Sequence, residues 1–438
     1  MLRRLTLFSL LSVVWAAAAR LAAPGLRLML WARVRRGKEI AARLPERRGI
    51  EAVERPAGRL LWLHAASVGE VVSLLPVLGE FARQAPDIAV LLTTGTVTSA
   101  ELLVARLPAL GLAGRVVHRF VPLDVPGWVA RFLDHWRPDA AAFVESELWP
   151  NLLAACARRR IPLMLINARL SARSFARWRR WPGIARGLLG GFASIRARGS
   201  EDAARFSALG APSVRAVGDL KFAAAELPAD PVALAALRAA IGARPVFLAA
   251  STHPGEEETL LAVHRRLMAH HPDLLTILVP RHPARGLAIA ALPGAAAAPR
   301  RSTGAGPPGL DGGGGGVYIA DTLGELGIFY RLASIAFIGG SLVPHGGQNP
   351  LEAARLGVAL VIGPYHQNFA EAVTALVAAG AARMVGDGTE LAAVVLRLLA
   401  DPGARAAMAA CGPAAAARFA DLPAATAAAL RGLLDRSR

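Results

Sequence analysis

Two segments bring carboxylates to positions where a parallel sheet offers side chains to a ligand. In Leu63-His-Ala-Ala-Ser-Val-Gly-Glu70 an apolar run ends, Gly69 permits a tight turn, and Glu70 falls in the first turns of the helix that follows. Ligands of open α/β sheets sit at such strand ends, and a carboxylate there can act as a general base. The plainer alternative is charge complementarity with a helix start. In Phe143-Val-Glu-Ser-Glu-Leu-Trp-Pro-Asn151, Glu145 and Glu147 share one face if the chain stays extended; a turn separates them and leaves one to reach the ligand. Of 50 lysines and arginines only Lys38 and Lys221 are lysine. Lys221, in Val217-Gly-Asp-Leu-Lys-Phe222, is therefore a candidate compact ammonium for a carboxylate or phosphate, with a solvated linker lysine as the alternative.

A third segment runs from Ile335 to Gly357 as I-A-F-I-G-G-S-L-V-P-H-G-G-Q-N-P-L-E-A-A-R-L-G. The apolar run Ile335 to Ile338 predicts a buried strand stopped by Gly339-Gly340. Asn349 is placed as N-cap, Pro350 as first helical residue and Glu352 in the first turn. Amides at such a helix start favour a phosphate, glycines allow close approach, and Glu352 suits ribose hydroxyls. An ordinary strand-to-helix turn is the alternative. Ser251-Thr-His-Pro-Gly-Glu-Glu-Glu258 reads as a hydroxyl-and-amide cradle or a plain cap. In Val279-Pro-Arg-His-Pro283, Arg281 can fork onto a phosphate, and His282 can shape the loop. In Asp321-Thr-Leu-Gly-Glu-Leu326, Glu325 can bond a base or sugar hydroxyl or merely charge a helix start.

The elements that must position these groups alternate. Strands are expected at 60–64, 88–93, 115–122, 140–144 and 163–167, with helices at 68–84, 98–107 and 151–160 between them. A second alternation covers 246–250, 256–270, 274–280, 317–319, 335–338 and 360–362. This is βαβ rhythm, hence two doubly wound, Rossmann-like halves with a ligand cleft between them. The expected divisions are an anchor and basic segment at 1–36, a domain at 37–216, a connection at 217–235 and a domain at 236–438. The last includes outer helices from the alanine-rich tail. Gly312 to Gly316 reads as a mobile glycine turn.

A length of 438 residues with 54% hydrophobic content supports two cores and excludes global disorder. Two distant cysteines, Cys156 and Cys411, exclude a disulfide framework and match no metal spacing. A net charge of +18 points to an anionic partner. Residues 151–200 hold eleven arginines and no carboxylate, interleaved with Trp178 and Trp181, which suits nucleic acid or a lipid headgroup layer. The apolar run from Leu5 to Ala19 follows Arg3-Arg4 and continues past Arg20 and Arg27 to Ala32. We expect an uncleaved anchor, spanning or interfacial, with Arg33, Arg35, Arg36 and Lys38 on the cytoplasmic side. It favours lipid over nucleic acid for the arginines.

In order, the motifs H-A-x-S-V-G-E, E-S-E-L-W-P-N, N-A-R-L-S-x-R-S, G-x-L-K-F, S-T-H-x-G-E-E, P-R-H-P, G-E-L and G-G-x-N-P-L-E-A resemble one family closely. That family is the 3-deoxy-D-manno-octulosonic acid (Kdo) transferases of lipopolysaccharide assembly, and the match runs from the anchor past Asn368-Phe369. The resemblance implies a two-domain B-type glycosyltransferase at the cytoplasmic face of the inner membrane. It would move Kdo from CMP-Kdo to a phosphorylated tetraacyl lipid A precursor, with inversion and without cofactor or metal. Glu70 matches the family's general base, and Glu145 and Lys221 match residues that stabilise the transition state. Pro280 and Arg281, then Leu323, Gly324 and Glu325, then Asn349, Pro350, Leu351 and Glu352 match the CMP-binding segments. Leu323 replaces a common Met, Gln348 a common His, and Ser146 a Thr, so no histidine role carries over at 348.

Overall fold

Near-continuous aliphatic runs bounded by polar turns form parallel strands buried on both faces. A computed structural model describes residues 2–223, 226–309 and 316–436. The expected glycine turn, Gly316 apart, lies outside the described residues. The first sheet comprises β1 (Leu60–Ala65), β2 (Ala89–Thr94), β3 (Val116–Phe120), β4 (Ala140–Val144), β5 (Leu163–Ala168), β6 (Phe192–Ala197) and β7 (Val214–Ala216), in the order β3-β2-β1-β4-β5-β6-β7. The period of two sends Leu60 and Trp62 to one face, against Phe132, Trp136 and Phe143. It sends Leu61, Leu63 and Ala65 to the other, against Val71, Leu74 and Phe81. The strand order reverses between β1 and β4, so the loops after these two strands flank the switch point where such sheets bind ligands.

The second sheet comprises β8 (Val246–Thr252), β9 (Leu275–Pro280), β10 (Val317–Ile319), β11 (Ile335–Ile338), β12 (Ala359–Ile362) and β13 (Ala382–Met384), all parallel, in the order β10-β9-β8-β11-β12-β13. Its switch point lies between β8 and β11. Phe247, Phe337 and Val361 pack with Leu260 and Leu391 in its core.

Contacts divide the chain into Met1–Ala223 with Asp421–Arg438, and Ala224–Ala420. This shifts two expectations. The connection expected at 217–235 is shorter, because Leu220–Ala223 is a 3-10 turn of the first unit and Pro231–Ile241 is already a helix, capped by Asp230. The last helix, Leu422–Asp435, belongs to the first unit rather than the second. Its Ala427, Leu430 and Leu434 recur at helical spacing and share a core with Val71 and Leu74.

The N-terminal helix Leu2–Arg35 continues through Pro24. Its stretch Ser12–Arg35 has a mean hydropathy of 1.4, long and apolar enough to cross a membrane. It runs beside the helices Pro126–Trp136, Pro150–Arg158 and Pro182–Leu189. The Trp15 indole donates to Asp124 Oδ2 at 3.0 Å, and Arg33 donates to Glu39 Oε1 at 3.1 Å. Arg47, itself buried, holds the other oxygen of Glu39 at 3.1 Å.

Candidate active site

At the switch point of the first sheet, β1 ends and Ser67 caps the helix Val68–Gln84. The Ser67 hydroxyl donates to Glu70 Oε1 and the Ala66 N–H to Glu70 Oε2, both at 2.8 Å. This is close to the Ser-x-x-Glu capping arrangement, so Glu70 does serve the helix start. It is also buried, and burial pushes its carboxyl above the usual glutamate range, with Glu145 and Glu147 adding repulsion and the two hydrogen bonds opposing it. A cap exposed to water needs no such environment; a proton acceptor working near neutral pH benefits from it.

After β4 the chain turns instead of staying extended. Glu145 has a φ of 60°, in the left-handed region. The turn parts the two glutamates, as one of the two sequence alternatives required. Glu145 Oε1 takes the Lys221 ammonium at 3.1 Å. Glu147 lies 3.7 Å from His64 Nε2, beyond hydrogen-bond reach, and accepts from the Trp149 indole. Burial pushes Glu147 up, but His64 and Trp149 outweigh it and hold the carboxyl below its ordinary range.

Lys221 is positioned by residues that the sequence did not single out. Asn167, at φ 49° near the end of β5, donates through Nδ2 to Asp219 Oδ1 at 3.1 Å and accepts the Leu220 N–H at 2.9 Å. Asp219 Oδ1 also accepts the Lys221 N–H at 3.0 Å. Both Asn167 and Asp219 are buried. Their hint in the sequence is the Asp two residues before a rare lysine, which is Asx-turn spacing.

At the second switch point the first amides of the glycine loop after β11 already have a partner within the chain. The fully buried Glu256 accepts from the N–H groups of His253 (2.9 Å), Gly340 (2.7 Å), Ser341 (3.0 Å) and Leu342 (2.9 Å). A carboxylate of the chain itself therefore fills these loop amides, which are distinct from the helix-start amides at 349–352 expected to meet a phosphate. Gly339 allows this closeness, since a Cβ there would stand 2.4 Å from the Ser251 carbonyl oxygen. The helix after the loop is Leu351–Arg355, and Pro350 precedes it rather than opening it. Asn349 still caps it by accepting the Leu351 N–H at 3.1 Å. Asn349 Nδ2 also donates to Glu352 Oε1 at 3.2 Å. Burial raises the Glu352 carboxyl, while Asn349, Arg355 and Arg281 act against it. Arg281 at the end of β9 is thereby an electrostatic neighbour of Glu352. Glu325, by contrast, is already gripped by Arg301, with Nη2 to Oε1 at 2.6 Å and Nε to Oε2 at 3.1 Å, and Arg301 holds its carboxyl below the usual range. Leu323 is 80% exposed beside it. Pro280 ends β9, Leu323 to Glu325 follow β10, and Asn349 to Glu352 follow β11, across β8 in the same sheet.

The arginine-rich stretch is less unbalanced than its composition suggests. Arg159 pairs with Asp134 at 2.6 Å and Arg198 with Asp202 at 2.8 Å, carboxylates from outside the stretch. Trp181 is 57% exposed.

Residues 42–224 match the protein family described as 3-deoxy-D-manno-octulosonic-acid transferase (kdotransferase). The Arabidopsis thaliana protein named probable 3-deoxy-D-manno-octulosonic acid transferase, mitochondrial, is 37% identical over 386 residues, 85% of this chain and 84% of that protein. The chain belongs to the 3-deoxy-D-manno-octulosonic acid transferase family. A second Kdo transferase, from Bordetella pertussis, is 36% identical over 406 residues, 90% of this chain and 93% of the relative. The Kdo transferase chain also resembles Anabaena HepE solved with UDP, with a TM-score of 0.56 at 15% identity, covering 86% of this chain and 100% of that one. At this identity the likeness carries the fold alone: two Rossmann-like α/β units of the B-type glycosyltransferase class.

Proposed function

We propose that this Kdo transferase moves Kdo from CMP-Kdo to a sugar hydroxyl of a phosphorylated tetraacyl lipid A precursor, in lipopolysaccharide core assembly. The observation that carries this reading is Glu70, buried with a raised proton affinity beside the Glu145–Lys221 pair at a switch point. We assign the acceptor to the first unit and the donor to the second, held by Pro280, Arg281, Leu323 to Glu325 and Asn349 to Glu352. The acceptor oxygen attacks the anomeric carbon of Kdo from the side opposite CMP, and its proton passes to Glu70. The bond to the CMP phosphate breaks and the electron pair leaves with the phosphate. Displacement by a single base inverts the anomeric centre. Lys221 or Arg281 offsets charge developing on the leaving phosphate, and Glu145 holds Lys221 in place.

We read the N-terminal helix as an interfacial anchor at the cytoplasmic side of the inner membrane. Trp15 and the buried Leu30 are both held to the first unit, fifteen residues or about 22 Å apart, so the helix lies along the fold over that length. Exposed Trp181 and the neighbouring arginines suit anionic lipid headgroups rather than nucleic acid. The test is purified protein with CMP-Kdo and the tetraacyl precursor. CMP release with a product heavier by Kdo supports the reading, and turnover only with a different nucleotide sugar overturns it.

A further inference from the structure

The Gly340, Ser341 and Leu342 amides after β11 are taken by Glu256, and side chains able to meet an anion gather beside them. Those present are aromatic nitrogens and a guanidinium. His253, after β8, stacks on His345 of the β11 loop with ring centroids 4.3 Å apart. His282, next to Arg281 after β9, meets His253 edge-on at 6.4 Å. Gln348 Nε2 lies 2.9 Å from His253 Nε2, which fixes the ring from the far side of the same loop. His282, His345 and Arg281 are exposed and His253 is half-buried, so a ligand can reach them. The groups facing the His253 ring are His345, His282, Arg281 and Arg285, all neutral or cationic. Glu256 engages its backbone N–H instead. Burial, with these neighbours, pushes the imidazole down to about 4. Arg285 is occupied by the buried Glu257 at 3.1 Å, which leaves Arg281 as the guanidinium of the cluster.

We propose that His253, His282 and His345, with Arg281, form a side-chain oxyanion site for the acidic groups of the donor. The inference rests on the donor assignment above and deepens it. Nucleotide recognition and anion recognition are separate tasks here, and the three imidazoles perform the second. An imidazole donates one hydrogen bond when neutral and two when protonated, so a ring in either state can meet an oxyanion. CMP-Kdo has two oxyanions, the phosphate and the sugar carboxylate, and both have the chemistry this site recognises.

Calorimetric titration of cytidine, CMP and a non-hydrolysable CMP-Kdo analogue into wild type and into His253→Ala/His345→Ala separates them. A loss of tenfold or more for CMP over cytidine assigns the phosphate; a further loss confined to the analogue assigns the carboxylate. Equal losses for all three ligands, or none, overturn the site. Thermal melting and the milder His253→Gln variant show that losses are not unfolding. Ring nitrogen resonances of the full-length protein, titrated with inorganic phosphate and with acetate, give a second readout. Saturable shifts of the three rings without any CMP binding leave the site standing and remove the CMP-Kdo reading. Tight CMP-Kdo binding with unmoved rings removes the site and leaves the reading.

Discussion

Replacing Glu70 by Gln isolates proton transfer from helix capping. The Gln carbonyl oxygen can keep the Ala66 N–H bond, and the Ser67 hydroxyl can rotate to accept from the new amide, so both 2.8 Å contacts have successors. Stability should change by no more than about 1 kcal/mol, the worth of a cap or one hydrogen bond. The proton acceptor, in contrast, is gone. General-base catalysis contributes roughly 10²–10⁴-fold, or about 2.7–5.4 kcal/mol of barrier. Initial rates of CMP release in detergent micelles, CMP affinity by calorimetry and thermal melting distinguish the two effects. The expected outcome is a hundredfold or greater fall in kcat with unchanged CMP affinity and a near-native melt. Glu70 accepts a proton only when ionised, and burial raises its proton affinity. Activity of the wild type must therefore fall, with decreasing pH, at a point above the ordinary glutamate range. A Glu70→Gln enzyme keeping more than a tenth of its turnover refutes the assignment, as does a wild-type acid limb at or below about 4.3.

Glu145→Gly and Glu145→Ala both remove the partner of Lys221 and should both lower turnover; because φ is 60°, glycine should melt higher, by about 1 kcal/mol in stability, and equal melting speaks against strain there. Asn167→Ala removes the frame of the 219–221 turn, so kcat should fall roughly tenfold to hundredfold while CMP affinity holds, and a matched loss of both contradicts a positioning role. His118 is pushed down to about 3 by burial first, then by Arg43, Arg119 and Arg47. An unfolded chain takes up this proton near pH 6.5 and the folded one only near 3, so its stability contribution is complete above 6.5 and is lost as pH falls. From pH 6.5 to 5 the loss is about 2 kcal/mol, at about 1.4 kcal/mol per pH unit. Urea unfolding of wild type should show that extra decline relative to His118→Gln, and parallel pH profiles contradict it.

Much of the frame was legible because buried parallel strands leave a plain mark. The runs 140–144, 317–319 and 335–338 and the helix 68–84 have the expected limits, each an apolar or amphipathic stretch closed by a turn residue. Elements with mixed polarity were not legible. β6 carries Arg196 and β7 Arg215, and β7 has only three residues, so neither shows a continuous apolar run. The last helix follows its neighbours without a break in composition, and its packing, with Ala427, Leu430 and Leu434 in the first core, places it in the first unit. Motif residues were found by type, but their partners were not. Glu256 is one of three consecutive glutamates, and nothing in Glu256-Glu257-Glu258 says which one turns inward to four backbone amides.

The two sheets solve the same positioning problem by the same means. Non-glycine residues with left-handed backbone occur at Glu145 after β4, Asn167 near the end of β5 and Ser251 near the end of β8, with φ of 60°, 49° and 59°. Each such residue costs on the order of 1–3 kcal/mol and persists only where surrounding contacts outweigh it. All three lie at the strand ends that face a ligand in a parallel sheet, and each has a local consequence there. The bend at 145 aims one carboxylate at Lys221 and frees the other for Trp149. The bend at 167 turns the Asn side chain onto Asp219. The bend at 251 brings its carbonyl so close to Gly339 that no side chain fits there, and His253 follows two residues later onto His345. Arg137, Arg160 and Ala297 share this backbone elsewhere in the fold, but at these three strand ends the strain lets a rigid scaffold hold charged groups at angles that regular strands cannot supply.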